Sequence, residues 1–335
     1  MEHIKCVCNG LNDPHLTAKF QRLCGISKCK DVDESLKLKS TGTGDVDSAF
    51  SVDKENNNYV NNGQKVSDFS EACQQTTQRA VSQKTKTIPN GAENVKVFIR
   101  YPILHYILTL SSSLGNEAFY LVFYPYMVWN VDCVLIRKAA LIWCLSMYVG
   151  QATKDFLQWP RPSAPPVIRL ETEFLQESGM PSTHAMSATA IPFMLAYLSL
   201  QRYEISPWIV VPVAVIWCTL VCLSRLYQGV HSVLDVVCGV LLTVGIIFLA
   251  GPYLDDFRLV STNTPIFTNR HLCDKCRPLY CSLSGNQGHN SAKGDAVQIV
   301  SVTSGFSLGT WLNYHYGFTT AKQVTDLYPV LASNY

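Results

Sequence analysis

Hydrophobic and polar residues are segregated along the chain. Residues 1–95 are rich in Asp, Asn, Ser, Thr, Lys and Gln, whereas long runs with few or no charges follow them. A helix needs about 20 apolar residues to cross a bilayer core, and backbone at that depth must be helical because every N–H and C=O needs a partner. The pattern therefore predicts an all-α fold, a multi-span transmembrane helical bundle with at least five spans. These runs lie at 101–129, 139–153, 184–200, 207–223 and 236–254.

The polar N-terminal region predicts a disordered tail. Between Ser51 and Ala92 it has few large apolar residues, too few to offset the conformational entropy lost on folding. Met1–Asn9 lacks the apolar core of a cleavable signal, so membrane entry is expected through an internal span. By the positive-inside tendency, the basic residues before the first run place the tail in the cytosol. They are Lys84, Lys86, Lys96 and Arg100.

These patterns divide the chain into four predicted parts. A disordered polar tail occupies 1–95, and a transmembrane core occupies 96–254. A polar loop follows at 255–295, and 296–335 holds a weak membrane segment with a short tail. That last segment is rich in Ser, Thr and Gly, small residues that permit close helix packing in membranes.

Composition narrows the classes of function. Charged residues make up 16% of the chain, against about 25% in ordinary soluble domains. A formal net charge of +2 is too small for a nucleic-acid-binding surface, so no nucleic-acid partner is expected. The 13 cysteines are scattered, several of them in apolar runs, which favours buried thiols over a disulfide framework. Cys273 and Cys276 have a zinc-ligand spacing near His271 and Cys281, but no second pair matches, so an ordinary loop is favoured.

Charged residues cluster at the ends of three apolar runs, where the cost of placing them makes them candidates for function. The first cluster holds Lys154 and Arg161 at a helix end closed by prolines, and their separation of two turns predicts one shared face. Trp159 lies between them. Anchoring of the helix at the membrane interface is therefore the alternative interpretation.

The second cluster opens the run at 184–200. Ser182 is the predicted N-cap, and the free N–H groups and dipole of a helix start favour a bound phosphate, with His184 beside it. Taken alone, these residues are also explained by an ordinary capping turn with an incidental histidine.

The third cluster interrupts two uncharged runs with Arg225, His231 and Asp235. His231 and Asp235 are four residues apart, a spacing that makes them neighbours on one helix face. A carboxylate there can fix the imidazole tautomer and leave the other ring nitrogen free to attack. Gly229 permits close approach of the backbone. The alternative is a structural ion pair between Arg225 and Asp235.

Together the clusters resemble the three-part signature of the type 2 phosphatidic acid phosphatase superfamily: Lys, six residues, Arg-Pro; Pro-Ser-x-His; and Ser-Arg, five residues, His, three residues, Asp. Thr183 stands where Gly is common in that superfamily. The segments 159–162 and 180–185 resemble the sphingosine-1-phosphate phosphatase branch, which usually continues through further spanning helices beyond the point where this chain ends. The matching positions are Lys154, Arg161, Pro162, Pro181, Ser182, His184, Ser224, Arg225, Gly229, His231 and Asp235.

The resemblance implies two-step hydrolysis of a lipid phosphate monoester through a phosphohistidine, without metal or cofactor. His231 is the implied nucleophile, Asp235 orients it, and His184 is the implied acid and then base. The implied partners are the lipid phosphate and membrane lipids, and the implied location is the endoplasmic reticulum membrane, with a lumenal site. The implied phosphate ligands are Lys154, Arg161, Ser182 and Arg225, with Thr183, Ser224 and Gly229 in support.

Substrate and topology stay open at this level. Spacing does not select sphingosine 1-phosphate over phosphatidate or a polyprenyl phosphate, and a catalytically inactive lipid-binding protein of the same fold is a further alternative. A cytosolic tail and a lumenal site are compatible if 101–129 crosses twice, which Gly115 and Pro125 permit, or if the tail is not cytosolic.

Overall fold

Helices make up most of the structure, with one small sheet near the N-terminus. The computed structural model describes residues 8–28, 85–90, 93–171, 177–254 and 291–317. By internal contacts the chain divides into two compact units, Met1–Ala18 with Tyr106–Tyr335, and Lys19–His105. In chain order the elements are α1 (Pro14–Leu23), β1 (Ile26–Lys28), β2 (Thr85–Asn90), β3 (Glu93–Ile99), α2 (Pro102–Ser113), α3 (Glu117–Asn130), α4 (Cys133–Leu157), α5 (Thr183–Arg202), α6 (Pro207–Tyr227), α7 (Val233–Ala250), a 3-10 turn (Gly251–Tyr253) and α8 (Ser291–His315).

The smaller unit contains a three-stranded antiparallel sheet in the order β1-β3-β2. Ile26 of β1 pairs with Ile99 of β3, and Val97 of β3 has partners in both outer strands. Ile26 and Val97 are fully buried. The described residues of the expected structureless tail thus form α1 and this sheet, which adds strands to an otherwise helical fold. The rest of the predicted tail, including 29–84, lies outside the described residues. Val95, Val97 and Ile99 alternate with the period of a strand, but so short a run is hard to recognise within a polar segment.

The core of the larger unit lies between α4 and α5. Helix α5 packs against α4, α6 and α7, and α4 also contacts α3 and α8. Ile136 and Ile142 of α4 are buried together with Ile191 of α5. The indole Nε1 of Trp143 donates to Ser187 Oγ at 3.1 Å, which satisfies a polar group inside this interface.

Hydrogen bonds and an ion pair join the start of α4 to the end of α5. Asp132 caps α4 by accepting from the backbone N–H groups of Val134 and Leu135 at 2.8 and 3.1 Å. Its other oxygen accepts from the Tyr203 hydroxyl at 2.8 Å and pairs with Arg202. This network lies at the end of α4 opposite to Lys154, so it fixes the helix pair without taking part in the predicted site.

The predicted multi-span helical fold class is confirmed, but the number of clear spans is lower than expected. Within the described residues, three helices are long and apolar enough to cross a membrane: α4, α6 and the segment Val233–Tyr253. The run at 101–129 is divided between α2 and α3, with 12 and 14 residues. Each is only about 18–21 Å long at 1.5 Å per residue, short of the roughly 30 Å bilayer core. Helix α5 has 20 residues, but it buries Ser, Thr and Ala side chains inside the bundle.

The C-terminal segments are described only in part. Helix α8 begins at Ser291, inside the loop predicted at 255–295. The remaining loop residues, 255–290, lie outside the described part of the chain, as do 318–335. The zinc-like spacing at Cys273, Cys276 and Cys281, with His271, falls in that region.

Candidate active site

The three clusters predicted from the sequence meet around one cavity. The end of α4, the start of α5 and the end of α6 converge there, together with the loops that follow α4 and precede α7. Ser182, Ser224, Gly229 and Asp235 are not among the described residues that line it. The lining residues are Gly115, Asn116, Tyr120, Met147, Gln151, Lys154, Arg161, Glu177, Thr183, His184, Arg225 and His231.

Lys154 and Arg161 come together, although not on one helix face as predicted. Helix α4 ends at Leu157, where Gln158 adopts a left-handed conformation with φ of 47°, so Arg161 belongs to the following loop. Both cations converge on Glu177, whose Oε2 lies 3.1 Å from Lys154 Nζ and 4.0 Å from Arg161 Nη2. The chain reversal therefore brings the two charges closer than a straight helix would.

Backbone carbonyls and one hydroxyl orient these two side chains. Arg161 Nε donates to the carbonyl oxygen of Glu177 and Arg161 Nη1 donates to that of Val230, both at 2.9 Å. Lys154 Nζ donates to Thr183 Oγ1 at 3.4 Å. The Thr183 hydroxyl thus offers Lys154 an acceptor that the Gly common in the superfamily lacks, and its supporting role in the reaction stays a prediction.

Ser182 is the N-cap of α5, as predicted. Its Oγ accepts from the backbone N–H of Ala185 at 3.5 Å, and its own N–H donates to the carbonyl oxygen of Asp235 at 3.1 Å. A Cβ at Gly239 of α7 would lie 2.8 Å from the Ser182 carbonyl oxygen, so glycine is what permits this close helix contact. The hydroxyl is fully buried. A direct contact of Ser182 with phosphate stays a prediction.

His184 projects from the first turn of α5 into the cavity, next to Gly115. A Cβ added at Gly115 would come within 2.5 Å of His184 Cδ2. The short connection between α2 and α3 therefore contacts the imidazole directly. The sequence indicated that Gly115 permits a helix break and that the segment 114–117 resembles the sphingosine-1-phosphate phosphatase branch.

Arg225 is held by three acceptors near the end of α6. Its Nη1 donates to Ser112 Oγ at 2.8 Å, to Gln228 Oε1 at 2.7 Å and to Glu171 Oε2 at 2.9 Å. The alternative ion pair with Asp235 is not formed, although the structure describes both residues. Arg225 lines the cavity, and the three cations Lys154, Arg161 and Arg225 are referred to below as the cationic clamp.

Ser224 and Gly229 act on the backbone at the end of α6. Ser224 Oγ donates to the carbonyl oxygen of Val221 at 2.6 Å, within its own helix. Gly229 has φ of 71°, a left-handed conformation that glycine adopts without strain. This turn redirects the chain from α6 toward His231, so both residues support the site without lining it.

His231 and Asp235 are close, but they do not share a helix face as predicted. Helix α7 begins at Val233, and Ser232 caps it. Asp235 Oδ2 accepts from the Ser232 N–H at 2.7 Å, while Ser232 Oγ accepts from the Asp235 N–H at 3.2 Å, a reciprocal capping box. His231 Nδ1 lies 3.7 Å from Asp235 Oδ2, an electrostatic contact longer than a hydrogen bond. The cap fixes the carboxylate beside the imidazole.

The electrostatics of the cavity favour a neutral His231. Burial lowers the pKa of His231 well below its usual value, and the charges of Arg161, Arg225 and Lys154 lower it further. Burial also lowers the pKa of Arg161 to about 10, while the nearby Glu177 carboxylate acts in the opposite direction. Arg161 is therefore still cationic at neutral pH, and His231 is unprotonated, as a nucleophile must be.

Several residues of the site carry no sequence signal that singled them out. Glu171 and Glu177 lie in the loop before α5, and Ser112 and Gln228 complete the contacts of Arg225. Polar residues in a loop are common, so spacing alone could not have identified them. Among the described residues, no group of three or more His, Cys, Asp or Glu is arranged to hold a metal ion.

The fold and the site define a class of protein: a multi-span helical membrane protein whose buried cations and two imidazoles surround one cavity, as phosphoryl transfer requires. Residues 136–258 match the model of the PAP2 superfamily. The chain is 34% identical to sphingosine-1-phosphate phosphatase 2 of Homo sapiens, over 96% of this chain and 76% of that protein. It is 34% identical to sphingosine-1-phosphate phosphatase 1 of Mus musculus, over 95% and 76%. The chain belongs to the sphingosine-1-phosphate phosphatase family of the PAP2 superfamily.

One solved structure is also similar, the transmembrane PAP2 type phosphatidylglycerolphosphate phosphatase from Bacillus subtilis. The similarity covers 56% of this chain and 87% of that chain, with a TM-score of 0.40 and 22% identity. At this level it supports no residue-by-residue comparison.

Proposed function

We propose that the protein hydrolyses sphingosine 1-phosphate to sphingosine and inorganic phosphate in the membrane of the endoplasmic reticulum. The observation that carries this proposal is the convergence of Lys154, Arg161, His184, Arg225 and His231 on one cavity. The names of the relatives supply the substrate, because nothing in the cavity geometry selects a sphingoid base over another lipid.

The first step forms a bond between His231 and phosphorus and breaks the bond to the lipid oxygen. His184 gives a proton to that leaving oxygen. Burial and the charges of the cationic clamp lower the pKa of His184 well below its usual value, so the negative charge of the bound phosphate is needed to keep this proton on the ring. Asp235 stabilises the positive charge that develops on the His231 ring from 3.7 Å away. Such contacts often shorten only in the substrate complex. In the second step His184 takes a proton from water, the oxygen attacks phosphorus, and His231 is released.

The cationic clamp can balance the charge of the phosphoryl group. A phosphate monoester carries roughly −1.5 to −2 near neutral pH. The side chains of Lys154, Arg161 and Arg225 are only 2%, 4% and 1% exposed, so their charges act in surroundings of low dielectric. Arg offers a planar fork to phosphate oxygens and Lys offers a point charge. This set of side chains can therefore do the charge stabilisation for which kinases use Mg²⁺.

Three apolar spans keep the substrate and the site at the membrane. A lipid chain gains about 0.8 kcal/mol for each CH₂ that stays in the bilayer. An enzyme for its headgroup therefore belongs at the boundary, where α4 ends and α5 begins.

Glycosylation acceptors placed at residue 50 and within the 162–178 loop test the lumenal orientation, because only lumenal acceptors are modified.

Phosphate release from sphingosine 1-phosphate by the purified protein tests the function. We expect turnover by the wild type and none by His231→Ala, with phosphatidate and a polyprenyl phosphate as competing substrates. Faster turnover of either competitor would replace the proposed substrate. Turnover by His231→Ala equal to that of the wild type would refute the proposed mechanism.

A further inference from the structure

Among the described residues, two carboxylates contact the cationic clamp, and they differ in their relation to the cavity. Glu177 contacts Lys154 and Arg161 and lines the cavity together with both histidines. Glu171 accepts a hydrogen bond from Arg225 at 2.9 Å but is absent from the described residues that line the cavity. Only Glu177 therefore lies where a bound phosphoryl group would have to be.

The burial of these side chains makes a counter-ion necessary. The side chains of Lys154 and Glu177 are 2% and 7% exposed. An unpaired charge at such a depth carries a desolvation penalty of several kcal/mol. Without this carboxylate, two neighbouring buried cations would repel each other, so Glu177 stabilises them as long as no phosphate is bound.

A phosphoryl group in the cavity would need the donors that contact Glu177 in the structure. Carboxylate and phosphoryl oxygens form the same charge-assisted bonds with Lys and Arg. Lys154 Nζ lies 3.1 Å from the carboxylate, while Arg161 Nε also donates to the Glu177 backbone carbonyl at 2.9 Å. The carboxylate can therefore leave while the main chain keeps Arg161 in place.

We propose that Glu177 is the resident anion of the phosphate site, a positioning residue that neutralises Lys154 and Arg161 between turnovers and is displaced by the lipid phosphate. This inference rests on the proposed function and deepens it. The same carboxylate returns to the clamp after hydrolysis and competes with inorganic phosphate, which favours release of that product.

One substitution separates this role from a purely structural one, because the two roles predict opposite changes in the affinity for inorganic phosphate. Glu177→Gln keeps the shape of the side chain and removes its charge, so inorganic phosphate loses a competitor and should bind about tenfold more tightly, equivalent to 1.4 kcal/mol. If Glu177 only kept the clamp in shape, the same variant would bind phosphate more weakly. Glu204→Gln is the matched control, since it removes an exposed negative charge just after the end of α5 opposite to the site, and we expect a change of no more than about twofold.

Thermal unfolding of purified wild type, Glu177→Gln and Glu204→Gln across a titration with inorganic phosphate measures the affinity without turnover. Tighter binding by Glu177→Gln alone supports the proposal, and unchanged or weaker binding overturns it. If that variant does not fold, Glu177→Asp withdraws the carboxylate by one methylene and must also tighten binding. A wild type that binds phosphate but hydrolyses no lipid phosphate contradicts the proposed function, while the affinity comparison still decides the role of Glu177.

Discussion

The substitution Gly115→Ala tests whether the position of His184 controls the rate. A Cβ at Gly115 would come within 2.5 Å of His184 Cδ2. Carbon atoms pack best at about 3.5–4.0 Å, so the imidazole has to move by about 1 Å. A displacement of that size at a reacting group can lower the rate about 10²-fold. We expect kcat to fall by this factor with little change in KM, because none of the cationic clamp residues is touched.

Phosphate release by purified variants measures this effect, and Gly245→Ala is the matched control because a Cβ at Gly245 meets nothing within 4 Å. A phosphate ester of an acidic phenol provides the second comparison, since its leaving group needs little protonation. Gly115→Ala should lose much less activity on that ester than on the lipid. A folded variant with wild-type kcat, or with equal losses on both substrates, would show that His184 is not the proton donor.

Three further outcomes follow from the same geometry. Arg225→Met should lower kcat/KM about 10²–10³-fold, the cost of removing one preorganised charge contact. Arg225→Lys should recover only part of this activity because Lys lacks the planar fork of Arg, and full recovery would contradict a forked contact. Because burial and the clamp lower the pKa of His231, protonation of this ring should reduce activity only below pH 6.5, about the pKa of a free histidine. A pH profile in which kcat/KM already falls above neutral pH on acidification would count against His231 as nucleophile. Treatment with EDTA should leave turnover unchanged, since Lys154, Arg161 and Arg225 supply the charge, and a loss reversed by added Mg²⁺ would refute this.

The helical core was predictable from the sequence because long runs of apolar residues with few charges mark each of its main helices. Uncharged runs near the length of a bilayer core leave few options other than a helix. The break between α2 and α3 stayed open, since Gly115 and Pro125 permit a break in this run but do not require one. The sheet was missed because Val95, Val97 and Ile99 form a strand pattern too short to stand out in polar surroundings.

The motif residues of the site were predictable, whereas the contacts among them were not. The clamp and both histidines lie around one cavity, as the order of the motifs implied. Sequence spacing fixes which residues are present but not where a helix ends. A straight continuation of α4 would have carried Arg161 away along the helix, and the turn at Gln158 brings it back to Glu177 instead.

The spacing of His231 and Asp235 shows why a motif alone does not determine the local structure around it. A separation of four residues fits two arrangements. Both residues can lie on one face of a helix, or His231 can lie just before the N-cap Ser232 while Asp235 is the third residue of α7, as in the structure. In the structure Asp235 Oδ2 serves both as partner of the Ser232 N–H at 2.7 Å and as neighbour of His231 at 3.7 Å. Its charge is therefore divided between holding the start of α7 and stabilising the imidazole. In the proposed mechanism, catalysis and local folding would therefore depend on the same oxygen, and a fully buried carboxylate outside the cavity would still act on His231.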